Sequence, residues 1–420
     1  MTPPDLLRRM FDEAVKAADP MACISAALPP KPTGRVVVIG AGKASARMAE
    51  AVEQVWGPCD GLVITRYGYA RPCQGIRIVE AAHPVPDQAG VDATRELLDI
   101  LDGLGPDDFV LALISGGGSA LLCAPAGDMT LSEKQQINQA LLVSGAPINQ
   151  MNIVRKHLSA VKGGQLAVAA HPARMLTLTI SDVAGDDPAF IASGPTVADP
   201  STPQDALAIV DRWAIDLPPS AKAVLAGQTG VVQPGDVRLA TCDTRIIAAP
   251  SQSLDAAAEL AKADGYDVRI LADDLEGEAR DLGAEQARMA LGLQARMTSG
   301  DAPILLLSGG ECTVTRRGDG VGGPNAEAML SAAISLQAAP GIWAMACDTD
   351  GVDGAAEVAG ALIGPDILKR AKDTGIDPQS ALDRNDGHTF FEKTTAQIVT
   401  GPTLTNVNDF RAFLIQPPVR

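Results

Sequence analysis

Apolar runs that stop at glycine recur along this chain, each followed by an alanine-rich amphipathic stretch. RVVVIG (35–40), GLVIT (61–65), FVLALIS (109–115) and MLTLTIS (175–181) read as buried strands. Helical spacing follows in KASARMAEAVEQV (43–55) and ATRELLDILDGL (93–104). Strand and helix in alternation predict a mostly parallel, doubly wound sheet. The same alternation resumes in RIIAAP, DVRILA, PILLLSGG, IWAMACDTDG and QIVTGPT. A chain of 420 residues exceeds one ordinary core. Two Rossmann-like doubly wound α/β domains are expected, 1–230 and 231–420, with the Pro- and Gly-rich segment 217–236 as boundary. Ligands of such sheets gather at the carboxyl ends of the strands.

Composition narrows the function classes. Apolar residues make up 46% and charged residues 20%, as in a soluble globular protein, and no apolar run is long enough for a membrane span. Residues 1–20 read as an amphipathic helix and not as a leader. Seven cysteines without a Cys-x-x-Cys pair imply reduced thiols and a cytoplasmic setting. Four histidines argue against a His-metal site or a Ser-His-Asp triad, and a net charge of −17 argues against nucleic acid or an anionic membrane as partner. The expected partners are small molecules, for a monomer or a homodimer. One window breaks the acidity: from Lys134 to Ser181 there is no Asp or Glu, although 51 acids in 420 residues would place roughly six there. It holds Lys134, Arg155, Lys156, His157, Lys162, His171 and Arg174.

Several turns carry residues suited to anions. Gly40-Ala41-Gly42 is not a dinucleotide fingerprint, because Ser45 holds the third glycine position and Thr65-Arg66 ends the next strand without an acid. Lys43 opposes the dipole of the helix it precedes, a cost that turns into a gain if a phosphate is held there by free amides and the ammonium. Ser115-Gly116-Gly117-Gly118-Ser119 reads as a second anion cradle. Asp182 follows a strand and is the first candidate for magnesium, with Asp350 second. Asp186 and Asp187 read equally well as helix caps, and Ser193 opens a small-residue turn. Arg155, Ser159 and Lys162, spaced i, i+4, i+7, are expected on one helix face holding a carboxylate or phosphate. In the second half, Gly309, Gly310, Glu311, Asn325, Glu327, Asp348, Asp350, Asp353 and Asn408 lie in or beside Gly-rich turns, candidates for nucleotide binding or a cleft surface.

GAGKASARMA, AAHPVPDQAG, SGGGSALL, NIVRKHLSAVKGG, TISDVAGDDPAFIASGPT, SGGECTVTRRGDGVGGPNAEA, CDTDGVDG and TGPTLTNVND together resemble the class II glycerate kinase family, the glycerate 2-kinases with a MOFRL domain, over about residues 5–415. The resemblance implies transfer of the ATP γ-phosphoryl to the 2-hydroxyl of D-glycerate, with Mg²⁺, in a cleft between two α/β domains, and it places the catalytic lysine at Lys43. Pro324 and Ala326 stand where many members carry arginine and glutamine, so Arg317 or a basic residue of 155–162 is expected to supply the charge. Family members also bear the name hydroxypyruvate reductase, and an NADPH-dependent reductase with Arg66 reading a 2′-phosphate is the alternative.

Overall fold

Residues 1–354 and 356–418 are described by a computed structural model, in which the chain divides into two units. The first comprises residues 20–182 and 186–247. Its strands are β1 (Val36–Ala41), β2 (Asp60–Arg66), β3 (Ile76–Ala81), β4 (Phe109–Ile114), β5 (Arg174–Ile180) and β6 (Cys242–Ala248). They stand in the order β3-β2-β1-β4-β5-β6, with β1 to β5 all parallel. That is the dinucleotide-fold order, whose direction of winding reverses between β1 and β4 and opens a crevice at their carboxyl ends. β1 and β4 are buried along their whole length, as their unbroken apolar sequences require.

The second unit comprises residues 1–19, 183–185 and 248–420. Its strands are β7 (Asp267–Ile270), β8 (Gly277–Glu278), β9 (Ile304–Ser308), β10 (Cys312–Thr313), β11 (Ile342–Asp348), β12 (Gly360–Ile363), β13 (Gln397–Ile398) and β14 (Asp409–Ile415). The α/β class holds, but the sheet β13-β12-β11-β14-β9-β7 is mixed where a mostly parallel one is expected. β14 lies antiparallel to both β11 and β9, and β12 antiparallel to β11. A loop joins β11 to β12 without a crossover helix, and antiparallel neighbours need none.

The boundary also differs from expectation. Segment 217–236 lies inside the first unit, anchored by the helix Pro219–Ala226 and by buried Leu217, Ala221, Leu225, Val231 and Val232. The division falls at 247/248 instead. The opening helix Pro3–Ala17 packs into the second unit: Leu6, Leu7, Met10, Phe11 and Ala14 share a core with Leu254, Leu305 and Phe410. The rings of Phe11 and Phe410 meet edge to face at 5.9 Å.

Candidate functional site

At the reversal point, the loops after β1 and β4 interlock. Gly42 (φ +149°) lies so close to Ser115 that a Cβ there would run into its hydroxyl. The Lys43 amide donates to the Gly116 carbonyl at 2.8 Å, and the Ala44 amide donates to Ser115 Oγ at 3.0 Å. Ser45 Oγ donates to the Leu113 carbonyl at 2.9 Å. The two amides just before the helix Ser45–Trp56 are thus taken by the neighbouring loop. Gly42 and Ser115 are corrected from ligand contacts to structural joints, and the Lys43 and Ala44 amides are not left for a ligand. Those bonds leave the Gly116 and Gly117 amides out, since the Ser115 amide donates to the Ala41 carbonyl of β1 and the Gly118 amide closes the turn on the Ser115 carbonyl. A Cβ on Gly117 would stand 3.1 Å from Lys43 Cγ and from His83 Cδ2 and Nε2, so both side chains flank this turn.

Beside it opens a cavity of about 600 Å³, lined by Gly117, Ser119, His83, Lys134, Arg155 and Lys162 among others, with no Asp or Glu on its wall. Lys162 donates to the carbonyls of Ser119 (2.8 Å) and Leu122 (3.0 Å). Lys134 donates to those of Leu158 (3.2 Å) and Arg155 (3.4 Å). Burial, with repulsion from Lys134 and Arg155, pushes the Lys162 ammonium down to about 7. Burial likewise pushes Lys134 down to about 8 and lowers Arg155. Uncompensated cations in a low-dielectric wall are costly, and an anion in the cavity removes that cost. Arg155 and Lys162 do converge, but not on one helix face: the helix Ile148–His157 ends before Ser159 and Lys162. Ser159 bridges Pro125 and does not line this cavity.

The rest of the acid-free window is structural. Lys156 is buried in an ion pair with Asp199 and stands 5.0 Å from the centre of the Phe190 ring. His157 bonds Thr229 and Ser201. Ser193 has a left-handed backbone (φ +65°), as do Ala192 (φ +50°) and Gly194 (φ +58°), and its hydroxyl lies 2.8 Å from that of Ser119. Three successive left-handed residues, two of them not glycine, make a strained turn that brings the Ser193 hydroxyl to Ser119. Asp182 sits two residues past β5, half-buried. Asp187 accepts from the Ala189 amide at 2.9 Å, a turn contact, and Asp186 has φ +54°.

In the second unit most candidates are spent on the fold. Gly309 donates its amide to the Ala272 carbonyl at 2.9 Å, and its own carbonyl accepts from the buried Arg411. Gly310 has φ +102°, and a Cβ there would strike the Leu275 backbone. Glu327 is buried, accepting from Arg280 Nε and Asn385 Nδ2, both at 2.8 Å. Asn325 donates to Asp409 at 2.6 Å, while Asp353 accepts from the Asn325 and Ala326 amides at 2.9 Å, capping the helix Pro324–Leu336. Asn408 (φ +61°) receives Thr349 on its carbonyl. Glu327 and the Gly309 amide are therefore taken up by the fold, whereas Asn325 Oδ1 has no hydrogen-bond partner among the described residues. Glu311 remains exposed, and Asp348 and Asp350 stand at the carboxyl end of β11, Asp350 buried with Oδ1 accepting from the Val352 amide at 2.8 Å. Among the described residues no group of three or more His, Cys, Asp or Glu is placed to hold a metal ion.

Residues 6–226 match a domain of unknown function, DUF4147, and residues 304–409 match the MOFRL family. A D-glycerate 2-kinase of Thermotoga maritima is 37% identical, covering 99% of this chain and 100% of its own. A solved glycerate kinase structure from the same organism superposes with a TM-score of 0.86 at 36% identity, over 98% of this chain and 99% of that one. The chain belongs to the glycerate kinase family. A protein of Agrobacterium vitis, 53% identical over 98% of this chain and 94% of its own, bears a provisional hydroxypyruvate reductase name, so both names occur among relatives. Within the glycerate kinase family frame, Pro324 is the first residue of its helix, where the missing N–H costs nothing. Ala326 is fully buried, and a Cβ added at Gly387 would lie 3.1 Å from the Ala326 Cβ. Sequence reasoning passed over His83, Asn138 and Gln139. His83 follows β3 by two residues, the same signal that singled out Asp182 after β5.

Proposed function

We propose that the protein transfers the γ-phosphoryl of ATP to the 2-hydroxyl of D-glycerate, giving 2-phosphoglycerate, with Mg²⁺ and in the cytoplasm. The observation that carries this reading is the acid-free cavity with Lys134, Arg155 and Lys162 in its wall, beside the Gly117 turn and Lys43, in a chain of net charge −17. Arg155 and Lys162 hold the glycerate carboxylate. The Gly116 and Gly117 amides and the Lys43 ammonium face the transferring phosphoryl, whose charge in the transition state is spread over three oxygens. His83, across the same turn, is placed to orient a phosphate oxygen or the acceptor hydroxyl. Asp182, two residues past β5, is the proposed carboxylate for magnesium, a hard oxygen donor of the kind it takes one or two at a time beside phosphate oxygens. When bound, the ion neutralises phosphate charge.

The reductase reading conflicts with the geometry after β1. A dinucleotide pyrophosphate draws on the amides of the glycine turn that leads into the first helix. Here the Lys43 and Ala44 amides are taken by Gly116 and Ser115. The test is ADP release from D-glycerate, ATP and magnesium by the purified protein, against NADPH oxidation with hydroxypyruvate. NADPH oxidation without ADP release would overturn the kinase reading.

A further inference from the structure

Two buried polar atoms on the wall of the basic cavity have no hydrogen-bond partner among the described residues: Asn138 Oδ1, an acceptor, and Arg155 Nε, a donor. Buried polar groups are otherwise paired, and each exception asks for a partner. The two atoms want opposite partners. Arg155 Nε calls for an anionic oxygen. Asn138 Oδ1 calls for a hydroxyl or N–H proton. They are also neighbours in the fold. Asn138 is one turn beyond Lys134 on the helix Leu131–Ser144, and Lys134 reaches the Arg155 carbonyl at 3.4 Å.

A small hydroxy acid meets both demands at once. With the carboxylate on Arg155, under the glycerate kinase reading above, a three-carbon acid has two hydroxyls within reach of the same wall. The 2-hydroxyl is the one phosphorylated, so it must point to the Gly117 turn and Lys43. The 3-hydroxyl is then the group left to face the helix Leu131–Ser144. We propose that Asn138 accepts a hydrogen bond from the substrate 3-hydroxyl, which makes it the residue that separates D-glycerate from 2-hydroxy acids lacking that group. A site that reads a hydroxyl through a buried acceptor rejects the deoxy analogue strongly, because the acceptor is left unpaired. An apolar pocket would discriminate only weakly.

The experiment compares D-glycerate with D-lactate, which keeps the carboxylate and the 2-hydroxyl and lacks the 3-hydroxyl. Calorimetry on the parent protein should show D-glycerate binding at least about tenfold more tightly. In Asn138→Leu, close in size and without an acceptor, that preference should collapse, with D-lactate binding held or improved. The kcat/KM ratio of the two acids should collapse in parallel, with an unchanged thermal midpoint. Equal binding of the two acids by the parent overturns the inference without any variant, as does an Asn138→Leu protein that loses both acids equally. If the parent discriminates through Asn138 but releases no ADP, the inference stands and the kinase reading fails. If ADP is released but the Asn138→Leu ratio is unmoved, the kinase reading stands and the inference fails.

Discussion

The chain twice runs a buried strand into Ser-Gly-Gly, at 115–117 and at 308–310, and the two turns serve different ends. After β4, the Gly116 and Gly117 amides stay out of the turn's own bonds, and a basic cavity lies beside them. After β9, the Gly309 amide is bonded to Ala272, and Gly310 is glycine because the chain at Leu275 passes too close for any side chain. Sequence alone makes the turns equivalent. Two differences separate them: Gly309 gives its amide to a neighbouring segment where Gly116 and Gly117 give none, and only the first turn has a basic cavity beside it.

The sharpest way to break that contrast is at Lys43, which belongs to the first turn only. Lys43→Ala should lower kcat by about 10²–10³ with little change in thermal midpoint, and Lys43→Arg should rescue poorly, since a planar fork does not replace a point charge. Turnover within about threefold of the parent would remove phosphate handling from this residue. The glycines themselves come next. Gly310→Ala should cost about 2–4 kcal/mol in urea unfolding while the folded fraction keeps its kcat, because both the left-handed backbone and the space forbid the methyl. Gly117→Ala (φ +79°) should do the reverse, losing activity first as its methyl displaces His83 and Lys43. If both substitutions act on the same property, the two turns are not functionally distinct.

Arg155→Ala should raise the glycerate KM about tenfold, with the midpoint nearly unmoved, since its Nε bonds nothing in the fold. The smallest effect is in pH. Lys162 titrates near 7 in the folded protein, against an ordinary 10.5. Between those values the unfolded chain holds a proton that the folded chain lacks, so stability contributed by this site rises with pH across that window. Lys162→Met should flatten that rise in urea midpoints measured between pH 7 and 10. Saturating D-glycerate should shrink it in the parent, because a bound carboxylate restores the charged form.

Much of this was legible before any coordinates. Strands β1, β2, β4 and β5 follow from unbroken apolar runs, and the site end of the sheet follows from where they stop. The acid-free window pointed to an anion site, and Arg155 and Lys162 line one cavity. Their route was misjudged, because no periodicity announces that the helix ends at His157 and that Lys162 returns through a turn. Glu327 misled because a buried carboxylate beside glycines is spelled identically whether it meets a ligand or, as here, Arg280. Nor could the mixed second sheet be foreseen, since β14 reaches its place between β9 and β11 through long-range pairing alone.

The helix Pro3–Ala17 adds a consequence for synthesis. Its apolar face, Leu6 to Ala14, is completed by residues from Leu254 onward, which leave the ribosome more than 200 residues later. Until then that face has no core to enter, while residues 20–247 already contain a whole sheet. This helix is thus made long before the core that receives it, and a fragment ended at residue 230 would carry an orphaned greasy stripe and lack the edge strand β6. A fragment spanning 20–247 avoids both faults and should be the one that stays monodisperse.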